Sequence, residues 1–273
     1  MINSKPISIG GIKVSPLSME QSVSAIMNIA GDPQSKPCIV TAINAHFVVT
    51  AQRESRLKEF LNGADLCLAD GASLVFASRL FRTPIPERVT GIDLMVRLCA
   101  EAAKQSKSVY LLGGGPGAAE KAAEALSGMY PGLRIAGADR PTFGHELERA
   151  EANGVRERIS AARPDFLFVC FGVPLQEYWI RQWALDLPVR VVMGNGAAFD
   201  VLGGFFKRPP QYLQRMGLEW LCRLLAEPRR LWRRYLIGNS EFIAIVLGQF
   251  IAGYLGPPLR NLLKLAALRR VSW

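Results

Sequence analysis

From Cys38 onward, short runs of β-branched and other apolar residues alternate with longer stretches whose apolar positions recur at helical spacing. The runs Cys38–Ile43, Ser108–Leu112, Leu133–Ala136, Phe166–Phe171 and Val189–Met193 predict strands. Between them, Glu20–Ala30, Gln52–Asn62, Ile92–Lys104, Gly117–Met129, Leu147–Ala161 and Leu175–Leu185 predict helices. Alternation of this kind predicts an α/β fold, a Rossmann-like and mostly parallel sheet flanked by helices. Such sheets bind ligands in the crevice at their strand carboxyl ends. Here those ends carry Asn44, Gly113, Gly172 and Gly194, while the apolar stretch Leu66–Ala69 runs into Asp70-Gly71.

Beyond Asp200 the alternation stops. Lys207-Arg-Pro-Pro210 reads as a turn and Gln211–Ala226 as one helix. Pro228 opens the next helix, since proline suits a first helical turn. A further helix is expected over Ser240–Tyr254 with Ser240 as its cap, ended by Gly256-Pro-Pro258. The chain therefore divides into an α/β core over residues 1–204 and an all-helical appendage over 205–273.

Charge sharpens that division. Residues 205–273 carry twelve Lys or Arg against three Glu, which is nine of the chain's ten net positive charges. These cations are interleaved with Trp220, Leu224, Leu225, Trp232, Tyr235, Leu236 and the run Phe242–Leu247, a mixture that suits an anionic lipid surface. A pI near 9.7 would also suit nucleic acid, but no nucleic-acid motif accompanies the basic residues, so no such partner is expected. Leu236–Leu255 is long enough to span a bilayer, yet Asn239, Ser240, Glu241 and Gln249 are costly at bilayer depth. A helix lying on the membrane is the expectation. Five cysteines (Cys38, Cys67, Cys99, Cys170, Cys222), odd in number and without C-x-x-C spacing, argue against a disulfide framework or zinc site and for a reducing compartment. Met1–Val14 lacks a long apolar run, so no signal peptide is expected.

Several positions carry candidate chemistry. Gly113-Gly114-Gly115-Pro-Gly117 follows a strand and opens an Ala-rich helix, a place where backbone N–H groups can meet a phosphate, or where a tight turn is all that is needed. Read as G-x-G-x-x-A, Gly113, Gly115 and Ala118 match a dinucleotide fingerprint, with Asp139 after the next strand as a ribose-binding acid. Asp70 either faces the crevice as a base or caps the following helix. Gln176 and Glu177 open a helix after Pro174 and either grip sugar hydroxyls or serve the helix end. Asn44 is a turn residue or a ligand donor. His46 and His145 lack metal-ligand spacing, and no D-x-D motif occurs, so no metal site is expected. In the tail, Arg215, Glu219 and Arg223 share one helix face, as do Arg229 with Arg233 and Arg230 with Arg234. Guanidinium forks of this density match phosphate oxygens.

In order along the chain stand Thr41-Ala-Ile-Asn-Ala-His46, Ala69-Asp-Gly71, Pro86-Glu-Arg-Val-Thr-Gly91, Gly113-Gly-Gly115, Gly172-x-Pro-x-Gln-Glu177 and Lys207-Arg-x-Pro210. Gly217-Leu-Glu-Trp-Leu-Cys-Arg-Leu-Leu225 and Glu227-Pro-Arg-Arg-Leu-Trp-Arg-Arg-Tyr235 follow. This set resembles the bacterial WecG/TagA/CpsF glycosyltransferase family, over roughly residues 8–240. The resemblance implies transfer of a sugar from a UDP-sugar to a sugar on a polyprenyl diphosphate, with inversion, without metal or cofactor, by a cytoplasmic enzyme peripheral on the inner membrane. It implies a general base at Asp70, a sugar-nucleotide crevice lined by Asn44 and Arg88, and substrate contact by Gln176. Thr41, Gly113–Gly115 and Glu177 join the candidate substrate contacts, and Arg208, Arg215, Arg223, Arg229, Arg230 and Arg233 join the lipid-diphosphate and membrane contacts. Two departures stand out: Ala42 replaces a Thr found in some members, with Thr41 one position earlier, and Gly137–Phe143 drifts from the family's Gly- and aromatic-rich version.

Two readings from other classes account for parts of the chain. A nicotinamide-dependent oxidoreductase would use Gly113, Gly115, Ala118 and Asp139, and a non-catalytic membrane adaptor would use the tail. Donor sugar, acceptor sugar, linkage and oligomeric state are not fixed by the sequence.

Overall fold

Ile7-Ser-Ile9 and Ile12-Lys-Val14 alternate buried and exposed side chains about Gly10-Gly11, whose φ angles of +58° and +76° allow a tight reversal. They form an antiparallel hairpin, β1 (Ile7–Ile9) and β2 (Ile12–Val14). In the structure, a computed structural model that describes residues 5–32, 36–141 and 147–254, this hairpin precedes the main sheet.

That sheet has six parallel strands: β3 (Cys38–Ile43), β4 (Leu66–Ala69), β5 (Ser108–Gly113), β6 (Arg134–Asp139), β7 (Phe166–Cys170) and β8 (Val191–Gly194), in the order β4-β3-β8-β7-β5-β6. Strands β3, β4, β5, β7 and β8 are apolar on both faces because helices cover both. One face packs α1 (Met19–Gly31), α5 (Gly91–Lys104), α6 (Ala118–Met129) and α9 (Ala198–Leu202) around Met95, Leu98, Phe166 and Phe168. The other packs the hairpin, α2 (Ala45–Arg53), α3 (Ser55–Gly63), α7 (Leu147–Ala162) and α8 (Leu175–Trp183) around Phe47, Leu57, Tyr110 and Trp179. Helix α4 (Ala72–Leu80) follows Asp70-Gly71. The expected α/β architecture is the observed one.

The helical pattern departs from expectation in three places. One helix over Gln52–Asn62 is instead α2 and α3, broken at Glu54, and α2 begins at Asn44, whose side-chain Oδ1 accepts from the His46 N–H at 3.1 Å. The expected single helix over Gln211–Ala226 is split into α10 (Gln211–Arg215) and α11 (Glu219–Ala226) at Gly217, whose φ of +74° a helix cannot hold. Ser240 is not a cap: α12 (Pro228–Trp232) runs through a π-helical turn, Arg233–Ile237, into α13 (Gly238–Tyr254). The Ser240 hydroxyl donates back to the Leu236 carbonyl at 2.8 Å.

Helix α13 is seated on the core. Phe242 and Val246 enter the same apolar cluster as Ile9 and Val48. Gln249 clips the hairpin by accepting from Gly10 N–H and donating to Ser8 carbonyl, both at 2.7 Å, and Glu241 pairs with Arg53 at 2.5 Å. Two of the polar residues that make this helix a poor bilayer span are thus bound to the α/β core. The segment Pro228–Gly253 is long and apolar enough to cross a membrane by length and composition, and Trp232, Leu236, Ile237, Ile243 and Leu247 on it are exposed. The expected Gly256-Pro-Pro258 break lies outside the described residues.

Candidate active site

Because all six strands are parallel, their carboxyl ends meet at one edge, and backbone hydrogen bonds tie the turns there together. Asp70 N–H donates to the Ile43 carbonyl at 2.8 Å, setting the β4 turn beside Asn44. Val89 N–H donates to the Ala69 carbonyl at 2.9 Å, which brings Arg88 to the same end. Asn195 N–H reaches the Val169 carbonyl at 2.8 Å, and its side-chain amide donates to the Gly91 carbonyl at 3.1 Å.

Asp70 does not cap α4: Gly71 holds the cap position and no side chain bonds to the free amides. Its carboxylate instead lies in a desolvated position among charged groups from several elements. Burial raises its pKa to about 6. Arg88, Arg223 and Arg208 act to lower it and Glu219 to raise it, so all four lie within its electrostatic reach. Arg234 feels the charge of Asp70 as well.

The appendage supplies most of this charge. Gly217 rests on α4 so closely that a Cβ there would lie 2.9 Å from Ala72 Cβ. Glu219, at the start of α11, meets Arg88 at 3.4 Å, Arg208 at 3.5 Å and Arg223 at 3.9 Å. Arg208 is also bidentate on Asp93, at 2.6 and 3.3 Å. Burial acts to raise the Asp93 carboxyl, but hydrogen bonds from Arg208 and Thr90 outweigh it and hold it below the ordinary range. Beside these residues opens a cleft of about 880 Å³ lined by Ala72, Phe76, Arg79, Arg88, Asp93 and Arg208, among others.

Around the sheet edge the other expected residues fall into different settings. Thr41 is buried and its hydroxyl has no hydrogen-bond partner. Gln176 donates to Glu177 at 2.6 Å and accepts from Gly196 N–H at 3.0 Å, fixing the turn after β8. Glu177 is fully buried, one of its oxygens is unpartnered, and burial raises its pKa to about 7 despite the Gln176 hydrogen bond. In the glycine loop, Gly114 N–H is used by the Cys170 carbonyl at 2.7 Å and Gly115 N–H by the Asp200 carboxylate at 3.0 Å. The loop lies against Asp200, so a carboxylate already occupies one amide expected to face a phosphate. Arg229 and Arg233 are exposed, and Arg230 forms a close pair with Glu227 at 2.6 and 2.8 Å. The side chain of Arg215, together with His145, Thr142 and Phe143, lies outside the described residues. Asp139 binds the Tyr110 hydroxyl and Arg158, so its carboxylate is not set aside for a ribose.

Sequence reasoning missed three residues of the site. Glu219, noted only as a helix-face acid, is the shared partner of three arginines. His46, which lacks metal-ligand spacing, feels the charge of Arg234; burial first and then that charge push its pKa down to about 4, so it is neutral near pH 7. Asp93, at the start of α5 in the same Thr-Gly-x-Asp stretch, anchors Arg208. Only the Asp93 signal was local: an acid three residues after a Thr cap.

A parallel α/β sheet whose strand ends hold a desolvated carboxylate under a cluster of arginines is an arrangement suited to anionic substrates. The chain belongs to the glycosyl transferase WecG/TagA/CpsF family, whose model matches residues 7–255. It is 34% identical over 214 residues to an N-acetylglucosaminyldiphosphoundecaprenol N-acetyl-beta-D-mannosaminyltransferase of Bacillus spizizenii, an alignment that covers 78% of this chain and 80% of that protein. The protein is therefore a glycosyltransferase, and the oxidoreductase and adaptor readings are set aside.

Proposed function

We propose that the protein transfers an N-acetylhexosamine, of the N-acetylmannosamine type, from a UDP-sugar to N-acetylglucosamine carried on a polyprenyl diphosphate. The acceptor follows the activity of the Bacillus spizizenii relative. The observation that carries the reading is Asp70, a desolvated carboxylate with a pKa near 6, among Arg88, Arg208, Arg223 and Arg234. A base of that pKa is largely ionised at neutral pH and strong enough to take a proton from a sugar hydroxyl as its oxygen attacks.

In this mechanism the acceptor hydroxyl oxygen bonds to the donor's anomeric carbon while the bond to the UDP oxygen breaks. The hydroxyl proton passes to Asp70, and the electron pair of the broken bond leaves on the diphosphate. Attack from the face opposite the leaving group inverts the anomeric centre. Negative charge grows on the leaving diphosphate and is balanced by guanidinium groups, each fixed donor contributing about 3 kcal/mol. The arginines supply the positive charge that this step needs. Asn44 positions the sugars, neutral His46 is a further hydrogen-bonding group near Arg234, and Gln176, buried and bonded at both ends of its amide, holds the turn after β8 rather than touching a sugar.

The appendage seats the enzyme on the cytoplasmic face of the membrane in this reading. Exposed Trp232, Leu236, Ile237, Ile243 and Leu247 rest among lipid chains, and Arg229 and Arg233 meet headgroups. The test is incubation with a panel of UDP-sugars and an N-acetylglucosamine-diphosphate lipid in EDTA. Gain of one N-acetylhexosamine by the acceptor is expected with a UDP-N-acetylmannosamine donor. Absence of transfer from every donor, with and without Mg²⁺, would overturn the proposal.

A further inference from the structure

Glu219 and Arg88 are 131 residues apart in the chain, and the ion pair between them joins the appendage to the core at the mouth of the site. Glu219 is largely buried, with 15% of its side chain exposed. Its three arginine contacts, at 3.4, 3.5 and 3.9 Å, are all longer than the 2.7–2.9 Å of a tight charge-assisted bond. Arg208 spends its tight contact on Asp93, and Asp93 is itself fixed by the Thr90 hydroxyl at 2.5 Å. One carboxylate is thus shared loosely by three cations; counting Asp70 and Asp93 beside them, it is Arg234 that leaves the cluster one positive charge in excess.

Bare guanidiniums this close repel one another, and flexible side chains relieve that repulsion by turning out to solvent. Arg208 would be retained by Asp93. Arg88 and Arg223 have Glu219 as their described ion-pair partner, so its charge is what keeps them turned inward. Arg234 lies in the same field, its Nε buried without a hydrogen-bond partner. Its Nε is thus a buried donor without an acceptor, and a phosphate oxygen is the kind of group that would satisfy it.

We propose that Glu219 is a positioning residue of the transfer: its carboxylate gathers Arg88 of the core with Arg208 and Arg223 of the appendage beside Asp70, and so holds the appendage closed over the crevice. This rests on the transferase reading above. A simpler role is open to an acid in the first turn of α11, namely favourable interaction with the helix dipole. The two roles separate on side-chain length. Aspartate serves a helix terminus as well as glutamate does, but it is one methylene shorter and cannot span contacts that are already long.

The experiment compares Glu219→Gln, which keeps shape and loses charge, with Glu219→Asp, which keeps charge and loses reach. Both are expected to lower kcat/KM for the lipid acceptor by about tenfold or more, as loss of a charged hydrogen-bonding partner does. Combined with Arg88→Ala, Glu219→Gln is expected to add no more than about a twofold further loss, because the two act as one unit. Wild-type kinetics in Glu219→Asp, or independent losses in the double variant, would overturn the proposal in favour of the dipole role. A second readout needs no substrate. Amide exchange across Glu219–Ala226 is expected to quicken by about tenfold in Glu219→Gln as the appendage opens. Unchanged exchange would overturn the closing role. If the wild type transfers no sugar but exchange responds as stated, the transferase reading falls and the latch stands.

Discussion

Replacing Asp70 by Asn should make the protein more stable and nearly inactive, two effects of opposite sign from one atom. Burial raises the Asp70 pKa from 3.8 to about 6. Between those values the folded chain binds more protons at this site than the unfolded chain, so stability falls as pH rises through the window. Above pH 6 the full penalty is present, and about two pKa units correspond to about 3 kcal/mol. Asn behaves like the protonated acid and escapes that penalty. The favourable pull of the arginines is already contained in the net shift, so Asp70→Asn should gain about 1–3 kcal/mol at pH 8. For a chain of this size that is a Tm rise of about 2–8 °C. The gain should shrink as pH falls through 6 and vanish near pH 4. Turnover should fall by about 10²–10⁴, the usual contribution of a general base. Thermal melts of both proteins at pH 8, 6 and 4.5, with sugar transfer measured at pH 8, test all of this. A variant that melts below wild type at pH 8, or whose advantage is the same at every pH, refutes the argument that Asp70 is held ionised against its surroundings.

Two further predictions concern packing and a third the membrane contact. Phe242→Ala, which removes a ring buried between α13 and the core, should cost about 3–5 kcal/mol in urea melts and expose α13 to protease before the sheet unfolds. Gly113→Ala should destabilise by about 1–3 kcal/mol, since φ is +108° and the new Cβ would lie 2.5 Å from the Cys170 carbonyl oxygen; an unchanged urea midpoint would contradict that geometry. Arg229→Ala combined with Arg233→Ala should weaken binding to vesicles containing anionic lipid by about 1 kcal/mol per arginine, with the difference lost in high salt. Equal co-sedimentation of variant and wild type would remove these two residues from the membrane contact.

The α/β sheet was legible because its strands are apolar runs on both faces, and Cys38–Ile43 matches β3 at both ends. The hairpin was missed although Ile-Ser-Ile-Gly-Gly-Ile-Lys-Val shows both the period of two and the glycine turn. Short strands give few positions on which a period can be counted. Asp70 could be located from sequence but not interpreted, because base and cap share the same strand–helix turn; backbone geometry decides against the cap. Glycines behaved least as expected. The Gly113–Gly117 loop reads as an open anion cradle until Asp200, 85 residues away, is seen to occupy the Gly115 amide. Glu219 is the same lesson with charge: its helix spacing was visible, while its contacts with Arg88 and Arg208 depend on how the appendage folds back. Contacts of that range leave no local period in the chain.

The central claim, that Asp70 is the base for transfer to a lipid-diphosphate sugar, is tested most directly by the pH dependence of kcat/KM for that acceptor, which reports the free enzyme's base. The account predicts an acid limb with an apparent pKa near 6, with the rate falling about tenfold per pH unit below it. A profile that stays flat from pH 8 down to pH 4.5 would contradict it.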